Sequence, residues 1–102
     1  MASVVVSSLA DADADGILEH LIGEAGPRTA ARYAARFERL YDRLTTHPPL
    51  GPRRPALGAL ARIGIVWPYI VIYEYEPAAD RVSVLRIVHG HRRISGRMLR
   101  DR

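Results

Sequence analysis

The chain has 102 residues, the size of one folded domain, and with 48% hydrophobic and 25% charged residues its composition is that of a globular protein rather than a disordered one. It contains no cysteine, which excludes a disulfide scaffold, an iron–sulfur cluster, a thiolate zinc site and a cysteine nucleophile. The formal net charge is +4, and because arginine is present without lysine, no lysine can act as a base or bind a phosphate.

The charge is unevenly distributed along the chain. Residues 1–25 hold five acids and no arginine, 26–57 hold seven arginines and two acids, and 58–102 hold eight arginines and four acids. A basic body favours an acidic partner, either a nucleic acid or an acidic protein segment. The start lacks the basic region of a signal peptide, and the longest apolar stretch, 63–73, is too short to cross a bilayer. We therefore expect a cytoplasmic protein without membrane contact.

The predicted elements begin with a short strand and a helix. Residues 4–6 are three valines between serines, which indicates a strand. Ser8 and Asp11 have the spacing of a capping box, so we expect the first helix to begin near Leu9. Its apolar positions follow a helical period on one face: Ala14, Ile17, Leu18, Leu21, Ile22 and Ala25.

A second helix follows at once, because Gly26 ends the first and Pro27 suits the first position of the next. The short link predicts an antiparallel helical hairpin. The apolar face comprises Ala30, Tyr33, Ala34, Phe37, Leu40, Tyr41 and Leu44. Another face carries a stripe of Arg32, Arg36, Arg39 and Arg43. Such a stripe is typical of a solvated face, here paired with Glu38 and Asp42, or of a surface for an acidic partner.

The second half of the chain predicts a loop and three strands. Residues 47–58 hold four prolines and two glycines, which excludes a helix or a central strand and predicts a long partner-contacting loop. Strands are predicted at 62–66, 69–76 and 82–89, and their short connections favour antiparallel pairing. The prediction is a single α+β domain, β-α-α-β-β-β, in which the helical hairpin covers one face of a small antiparallel sheet. The predicted domain is 1–102, with a core of about 3–95 and a basic tail, 91–102.

Arg86 is an unusual residue for an apolar strand. Strict alternation places Val82, Val84, Arg86 and Val88 on one side and Ser83, Leu85, Ile87 and His89 on the other. An arginine there needs a counter-charge, which either Glu74 or Glu76 on the neighbouring strand or a carboxylate of a partner protein would supply.

The order of these elements and the segment VLRIVHGHRRI at 84–94 resemble the RelE/ParE superfamily. These are the toxins of type II toxin–antitoxin modules, also described as plasmid stabilisation proteins. The strand YIVIYEY at 69–75 and the loop PPLG at 48–51 add to the resemblance, which covers about 3–95. It implies a bacterial toxin that inhibits growth and is neutralised by a cognate antitoxin. ParE-like members inhibit DNA gyrase by protein binding, whereas RelE-like members cleave mRNA on the ribosome.

A RelE-like nuclease without a metal needs an acid, a base and cations at the phosphate. The residues that match this need are Arg53, Arg54, His89, His91 and Arg92. However, Ile70 stands where RelE-like nucleases often carry a strand arginine, and no aromatic residue follows Gly90. The resemblance is therefore closer to ParE-like members, for which we predict no catalytic residue.

In the ParE-like interpretation, the antitoxin is ParD-like and offers an acidic amphipathic segment. Its predicted contacts are Tyr33, Arg36, Phe37 and Arg86. The predicted contacts with gyrase are Trp67, His91, Arg92 and Arg93; for Trp67 the alternative is a packed residue of a hairpin. His20 and His47 are isolated in the sequence, so neither a metal site nor a cofactor is predicted.

Overall fold

The protein, seen in a computed structural model that describes residues 1–90, has two helices on a four-stranded sheet. The elements are β1 (Ser3–Val6), α1 (Ser8–Ala25), α2 (Pro27–Thr46), a 3-10 turn (Pro48–Leu50), β2 (Ala61–Val66), β3 (Tyr69–Glu76) and β4 (Arg81–His89). The N-cap of α1 is Ser7 rather than Ser8, and its side chain accepts the N–H of Ala10 at 3.1 Å. The loop predicted to exclude a helix does contain the short 3-10 turn.

The sheet has the strand order β1-β4-β3-β2. The pairs β2–β3 and β3–β4 are antiparallel, as predicted from their short connections. β1 adds a fourth strand that lies parallel to β4, with Ser3 opposite Arg81 and Val6 opposite Val84. The predicted α+β fold with a helical hairpin on one face is confirmed, and the complete sheet is mixed.

The two helices contribute unequally to the core. α2 buries Ala30, Phe37, Leu40 and Leu44, whereas α1 buries only Ala10. α2 approaches β2 closely at Gly64, where a Cβ atom would lie 2.9 Å from a methyl carbon of Leu40. The glycine therefore allows the helix to pack directly over this strand, and the arginine stripe of α2 comes to lie beside the edge of the sheet.

Apolar side chains form a cluster on each face of the sheet. The cluster under the helices includes Phe37, Leu44, Tyr69, Val71, Tyr73, Val82, Val84 and Ile87. The cluster on the far face comprises Leu57, Ala61, Ile63, Ile72 and Val88. Leu57 belongs to the loop 47–58, which we call the proline-rich loop. This loop therefore covers part of the far face.

The prediction of strict alternation along β4 is wrong, because the strand contains a bulge. Tyr73 lies opposite Val84 and Ile72 lies opposite Arg86, so Leu85 is an extra residue. The bulge shifts the pattern by one position. As a result, Val84 and Ile87 both join the cluster under the helices.

The proline-rich loop is fixed to the sheet through one buried hydroxyl. Tyr73 is fully buried; its Oη accepts the N–H of Gly51 at 2.8 Å and donates to the carbonyl of Pro48 at 3.0 Å. Gly51 lies against β2 so closely that a Cβ atom would overlap the carbonyl oxygen of Ile63. The loop is therefore part of the packed structure from its first turn.

Candidate functional site

One end of the sheet gathers aromatic side chains from α2, β3 and β4. Tyr33 and His89 each lie edge-on to the ring of Tyr69, with centroids 5.7 Å apart in both cases. Phe37 lies 6.0 Å from the same ring. Tyr33 and Phe37 are four residues apart on one helix face, and His89 is the register partner of Tyr69. We call these four residues the Tyr69 cluster.

The members of the Tyr69 cluster differ in access to solvent. Tyr69 and Phe37 are 7% and 4% exposed, Tyr33 is half-buried and His89 is exposed. Burial, together with the neighbouring Tyr33, raises the pKa of Tyr69, so its hydroxyl stays protonated near neutral pH. The hydroxyl can donate a hydrogen bond there but cannot serve as a base. A partner would reach Phe37 only by opening the core, so its contact with an antitoxin stays a prediction.

Arg36 joins the Tyr69 cluster to the turn between β2 and β3. Its guanidinium carbon lies 5.0 Å from the centroid of the Tyr33 ring, a cation–π contact. Its Nη1 donates to the carbonyl oxygen of Trp67 at 3.1 Å. The predicted antitoxin contact Arg36 and the predicted target contact Trp67 are therefore neighbours.

Trp67 is an exposed residue at the tip of the β2–β3 hairpin. It is 62% exposed, and Ile65, two residues earlier, is 53% exposed. Exposed Trp is enriched at the energetic centres of protein–protein interfaces. Of the two alternatives for Trp67, this exposure favours a partner contact over a packed hairpin residue.

Three residues of the arginine stripe line a groove between α2 and the β2 edge. Arg36, Arg39 and Arg43 form its walls, and Leu40, Ile65 and Val66 complete its lining; its volume is about 320 Å³. We call this the arginine groove. Within residues 1–90 there are two ion pairs, and neither includes a residue of the stripe, so the expected pairing with Glu38 and Asp42 is absent there.

An acidic recess lies on the other side of α2, between α1 and β1. Asp11, Glu38 and Asp42 contribute to its lining, together with Tyr41, and its volume is about 390 Å³. Burial, then the charges of Glu38 and Asp11, raises the pKa of Tyr41 to about 12. The recess would repel an anionic partner, so α2 presents opposite charge on its two sides. No pattern in the sequence indicates this recess.

The predicted nuclease arginines serve the proline-rich loop. Arg53 donates to the carbonyl of Ala59 at 2.6 Å, and Arg54 donates to the carbonyl of Arg53 at 3.5 Å. Arg62, which the sequence analysis did not single out, donates to Gly51 at 2.8 Å. These guanidinium groups hold backbone carbonyls, and the two in the loop are exposed.

The structure does not bring Arg53 and His89 together. Arg53 forms a bridge with Arg62, which lies opposite Tyr73, whereas His89 lies opposite Tyr69. The two positions are thus separated by four residues along β3, roughly 13 Å at about 3.3 Å per residue. Arg53 also lies in the proline-rich loop beyond β2, whereas His89 lies on β4. His91, Arg92 and Arg93, the remaining predicted site residues, lie outside the described residues.

Arg86 is held by a carboxylate from α1. Its Nε lies 2.8 Å from Oδ2 of Asp13 and its Nη2 lies 3.1 Å from Oδ1, a bidentate pair. The same Oδ2 accepts the backbone N–H of Ile87 at 2.9 Å. Glu76, one of the expected partners, pairs instead with Arg81 at 3.3 Å. The counter-charge expected for Arg86 is therefore present within the chain, on α1 rather than on the neighbouring strand.

The helical period contained a signal for this pair. Asp13 lies three residues after Ala10 and four before Ile17, so it shares the face of α1 that packs on the sheet. Asp11 and Asp15, two residues to either side, are exposed. An acid on an inward face and an arginine on an apolar strand are each unfavourable alone, which indicates that they pair.

Residues 1–90 show neither a cluster of metal-ligating residues nor a membrane-spanning helix. No group of three or more residues that could ligate a metal ion lies together in this part of the chain. No helix among the same residues has the length and apolar content needed to cross a membrane.

Comparison with known proteins yields one family and a consistent fold. A family model described as the ParE toxin of the type II toxin–antitoxin system parDE matches residues 4–94. A chain from the chromosomal ParDE toxin–antitoxin system of P. aeruginosa is similar in structure, with a TM-score of 0.71 and 23% identity over 87% of this chain and 96% of that chain. For the RelBE2 toxin–antitoxin complex from Mycobacterium tuberculosis the values are 0.59, 22%, 86% and 96%. No curated protein matches closely enough to add a relative.

Proposed function

We propose, because the chain belongs to the ParE family of toxins of type II toxin–antitoxin systems, that it inhibits DNA gyrase by binding to it and that a cognate antitoxin neutralises it. The family model covers most of the chain, and a ParDE system is among the similar structures. Gyrase and the alternative target, the ribosome, are both cytoplasmic, so we expect the protein to act in the cytoplasm. We expect it to act without a cofactor.

The distance between the candidate nuclease residues Arg53 and His89 is the observation on which we choose protein binding over RNA cleavage. Cleavage needs an acid, a base and a phosphate-binding cation around one phosphodiester group. Arg53, in the proline-rich loop, and His89, on β4, lie about four residues apart along the sheet. The loop arginines already bind carbonyl oxygens. This arrangement supports a toxin that acts by contact.

The exposed tip of the β2–β3 hairpin is the surface that we assign to the target. Trp67 offers a large aromatic side chain, and Arg36 fixes its backbone from α2. An exposed aromatic residue on a braced turn loses little conformational freedom on binding, which favours affinity. His91, Arg92 and Arg93 follow β4 in the sequence and remain predicted contacts.

A ribosome-dependent mRNA endoribonuclease is the second candidate, and one observation favours it. The Tyr69 cluster contains His89, and Arg36 lies over the ring of Tyr33, another of its members. A histidine and an arginine near tyrosine hydroxyls are the groups that metal-independent RNA cleavage uses. In this alternative, His89 and Arg36 would act at the cluster.

Purified protein tested on both targets distinguishes the two functions. We expect it to inhibit DNA supercoiling by gyrase and to leave ribosome-bound mRNA intact. Trp67→Ala should raise the inhibitory concentration about tenfold, because the side chain is a central contact. Leu60→Ala, which changes another exposed apolar residue, is the matched control and should have no effect. mRNA cleavage positioned by codons and lost in His89→Ala would contradict the proposal and support the second candidate.

A further inference from the structure

The outer edge of β2 is closed over only part of its length. The proline-rich loop pairs with its first half: the N–H of Arg54 donates to Ala61 at 2.8 Å, and the N–H of Ile63 donates to Pro52 at 3.1 Å. Because the backbone of a strand repeats every two residues, Ile65 directs its N–H and C=O to the same outer side as Ile63. No hydrogen bond from the rest of residues 1–90 reaches these two groups. The edge is thus open at Ile65.

The open edge lies beside unneutralised positive charge. Arg39 and Arg43 are exposed and line the arginine groove next to Ile65. No carboxylate in the described part of the chain forms an ion pair with either. Arg36, at the same groove, already donates to Trp67. Two guanidinium groups are therefore available to an incoming anion along one side of the open edge.

The groove also offers an apolar surface. Leu40 and Val66 are buried and line it on the side of α2. Ile65, which is 53% exposed, shares the far face of β2 with Ile63, so it offers an apolar contact on the other face of the same edge. An edge strand with exposed backbone groups and apolar side chains is a template for another strand. Acidic side chains alternating with apolar ones would complement both the arginines and this surface.

We propose that an acidic segment of the antitoxin binds in an extended conformation along the arginine groove and forms backbone hydrogen bonds with Ile65, as a fifth strand beside β2. The inference rests on the proposed neutralisation by an antitoxin and names the surface that performs it. A strand paired at Ile65 passes Trp67, two residues further along, and so covers the side chain that we assign to the target. Neutralisation then follows from direct occlusion.

The backbone groups of Ile65 favour a polypeptide over a nucleic acid as the occupant. An extended peptide supplies both a donor and an acceptor at the spacing of a strand edge. A sugar–phosphate backbone satisfies the arginines but has no N–H group for the carbonyl of Ile65. The apolar lining adds to this preference, because phosphates gain nothing from Leu40 and Val66.

The test uses this protein and its cognate antitoxin, each purified separately. Titration calorimetry should give a dissociation constant raised at least about tenfold by the double variant Arg39→Glu/Arg43→Glu, because two charge pairs become repulsive. The control Arg28→Glu/Arg32→Glu makes the same charge change at the start of α2 and should bind like the wild type. Hydrogen exchange at the Ile65 amide should slow in the complex.

Equal loss of affinity in both double variants, unchanged affinity in the first, or unchanged exchange at Ile65 would overturn the proposal. A short DNA duplex that displaces the antitoxin from the wild type, and binds the control but not the Arg39→Glu/Arg43→Glu variant, would assign the groove to nucleic acid instead. Gyrase inhibition by each variant without antitoxin is measured separately. If the wild-type protein does not inhibit gyrase, gyrase is rejected as the target. The affinity and hydrogen-exchange results still decide whether the antitoxin binds at the arginine groove.

Discussion

The backbone groups of β4 beyond the end of β1 and those at the edge of β2 have different kinds of hydrogen-bond partner. Beyond β1, the edge of β4 is met by side chains: Ser7 Oγ donates to the carbonyl of Leu85 at 2.9 Å, and Asp13 accepts from Ile87. The β2 edge is met by the backbone of the proline-rich loop as far as Ile63, and it is open at Ile65. The backbone groups of β4 beyond β1 are thus satisfied within the chain, whereas those of Ile65 are left for association.

The largest expected effect is at the β4 side, where Asp13 holds three hydrogen bonds. Asp13→Ala removes both bonds from Arg86 and the acceptor of the Ile87 N–H, in a pair of side chains that are 18% and 14% exposed. We expect the free energy of unfolding to fall by about 3 kcal/mol, measured by urea denaturation. Asp15→Ala, two residues along the same helix, is the control. A loss no greater than that of the control would show that the pair does not stabilise this side.

The next effect tests how tightly the loop closes β2. Gly51→Ala places a Cβ atom on the carbonyl oxygen of Ile63, and backbone must move to admit it. We expect a loss of about 2 kcal/mol in the free energy of unfolding. Gly16→Ala, where a Cβ meets nothing within 4 Å on a helix, should instead stabilise by about 0.5 kcal/mol. If the two variants behave alike, the loop is not packed against the strand as described.

A smaller effect is expected at the hydroxyl that anchors the same loop. Tyr73→Phe keeps the ring in the core but leaves the Gly51 N–H and the Pro48 carbonyl without this partner. The expected loss is about 1 kcal/mol, read from thermal or urea unfolding. Tyr75→Phe removes the bond of an exposed hydroxyl to Asp80 and serves as the comparison, with a smaller loss expected.

The smallest effect is expected at the open edge. Arg39→Glu/Arg43→Glu changes exposed side chains outside any ion pair among residues 1–90. The free energy of unfolding should fall by less than about 1 kcal/mol, mainly because Arg43 lies in the last turn of α2, where a positive charge is favoured. The same urea denaturation measures it. A loss comparable with that of Asp13→Ala would mean that the arginine groove is a stability element, and the contrast between the two sides would fail.

Local patterns account for most of the fold. The apolar period of α2 and the Gly26–Pro27 break were sufficient to predict the helical hairpin. The short turns between the last three strands were sufficient to predict their antiparallel pairing. The parallel pairing of β1 with β4 joins residues nearly the whole described chain apart, and no local pattern reports such a contact. The bulge at Leu85 is one added residue between Val84 and Arg86, and no sequence pattern distinguishes it from a regular strand position.

The candidate site was only partly predictable, for a similar reason. Exposure of Trp67 and the position of Arg36 follow from a turn and a helix face, which sequence spacing reports well. Tyr69 was missed because an aromatic residue in an apolar strand has the same pattern whether or not it organises a cluster. The open edge at Ile65 depends on where the loop stops pairing, which is set by tertiary packing of Gly51 rather than by residue type.

The parallel pairing of β1 with β4 also sets the order of events during synthesis. β1 precedes both helices in the chain, and its partner in the sheet spans Arg81–Val84. Contacts so distant in sequence form late, because a long loop must close first. β1 therefore cannot join the sheet until β4 has been synthesised, so both helices and two other strands are made before the four-stranded sheet can be completed.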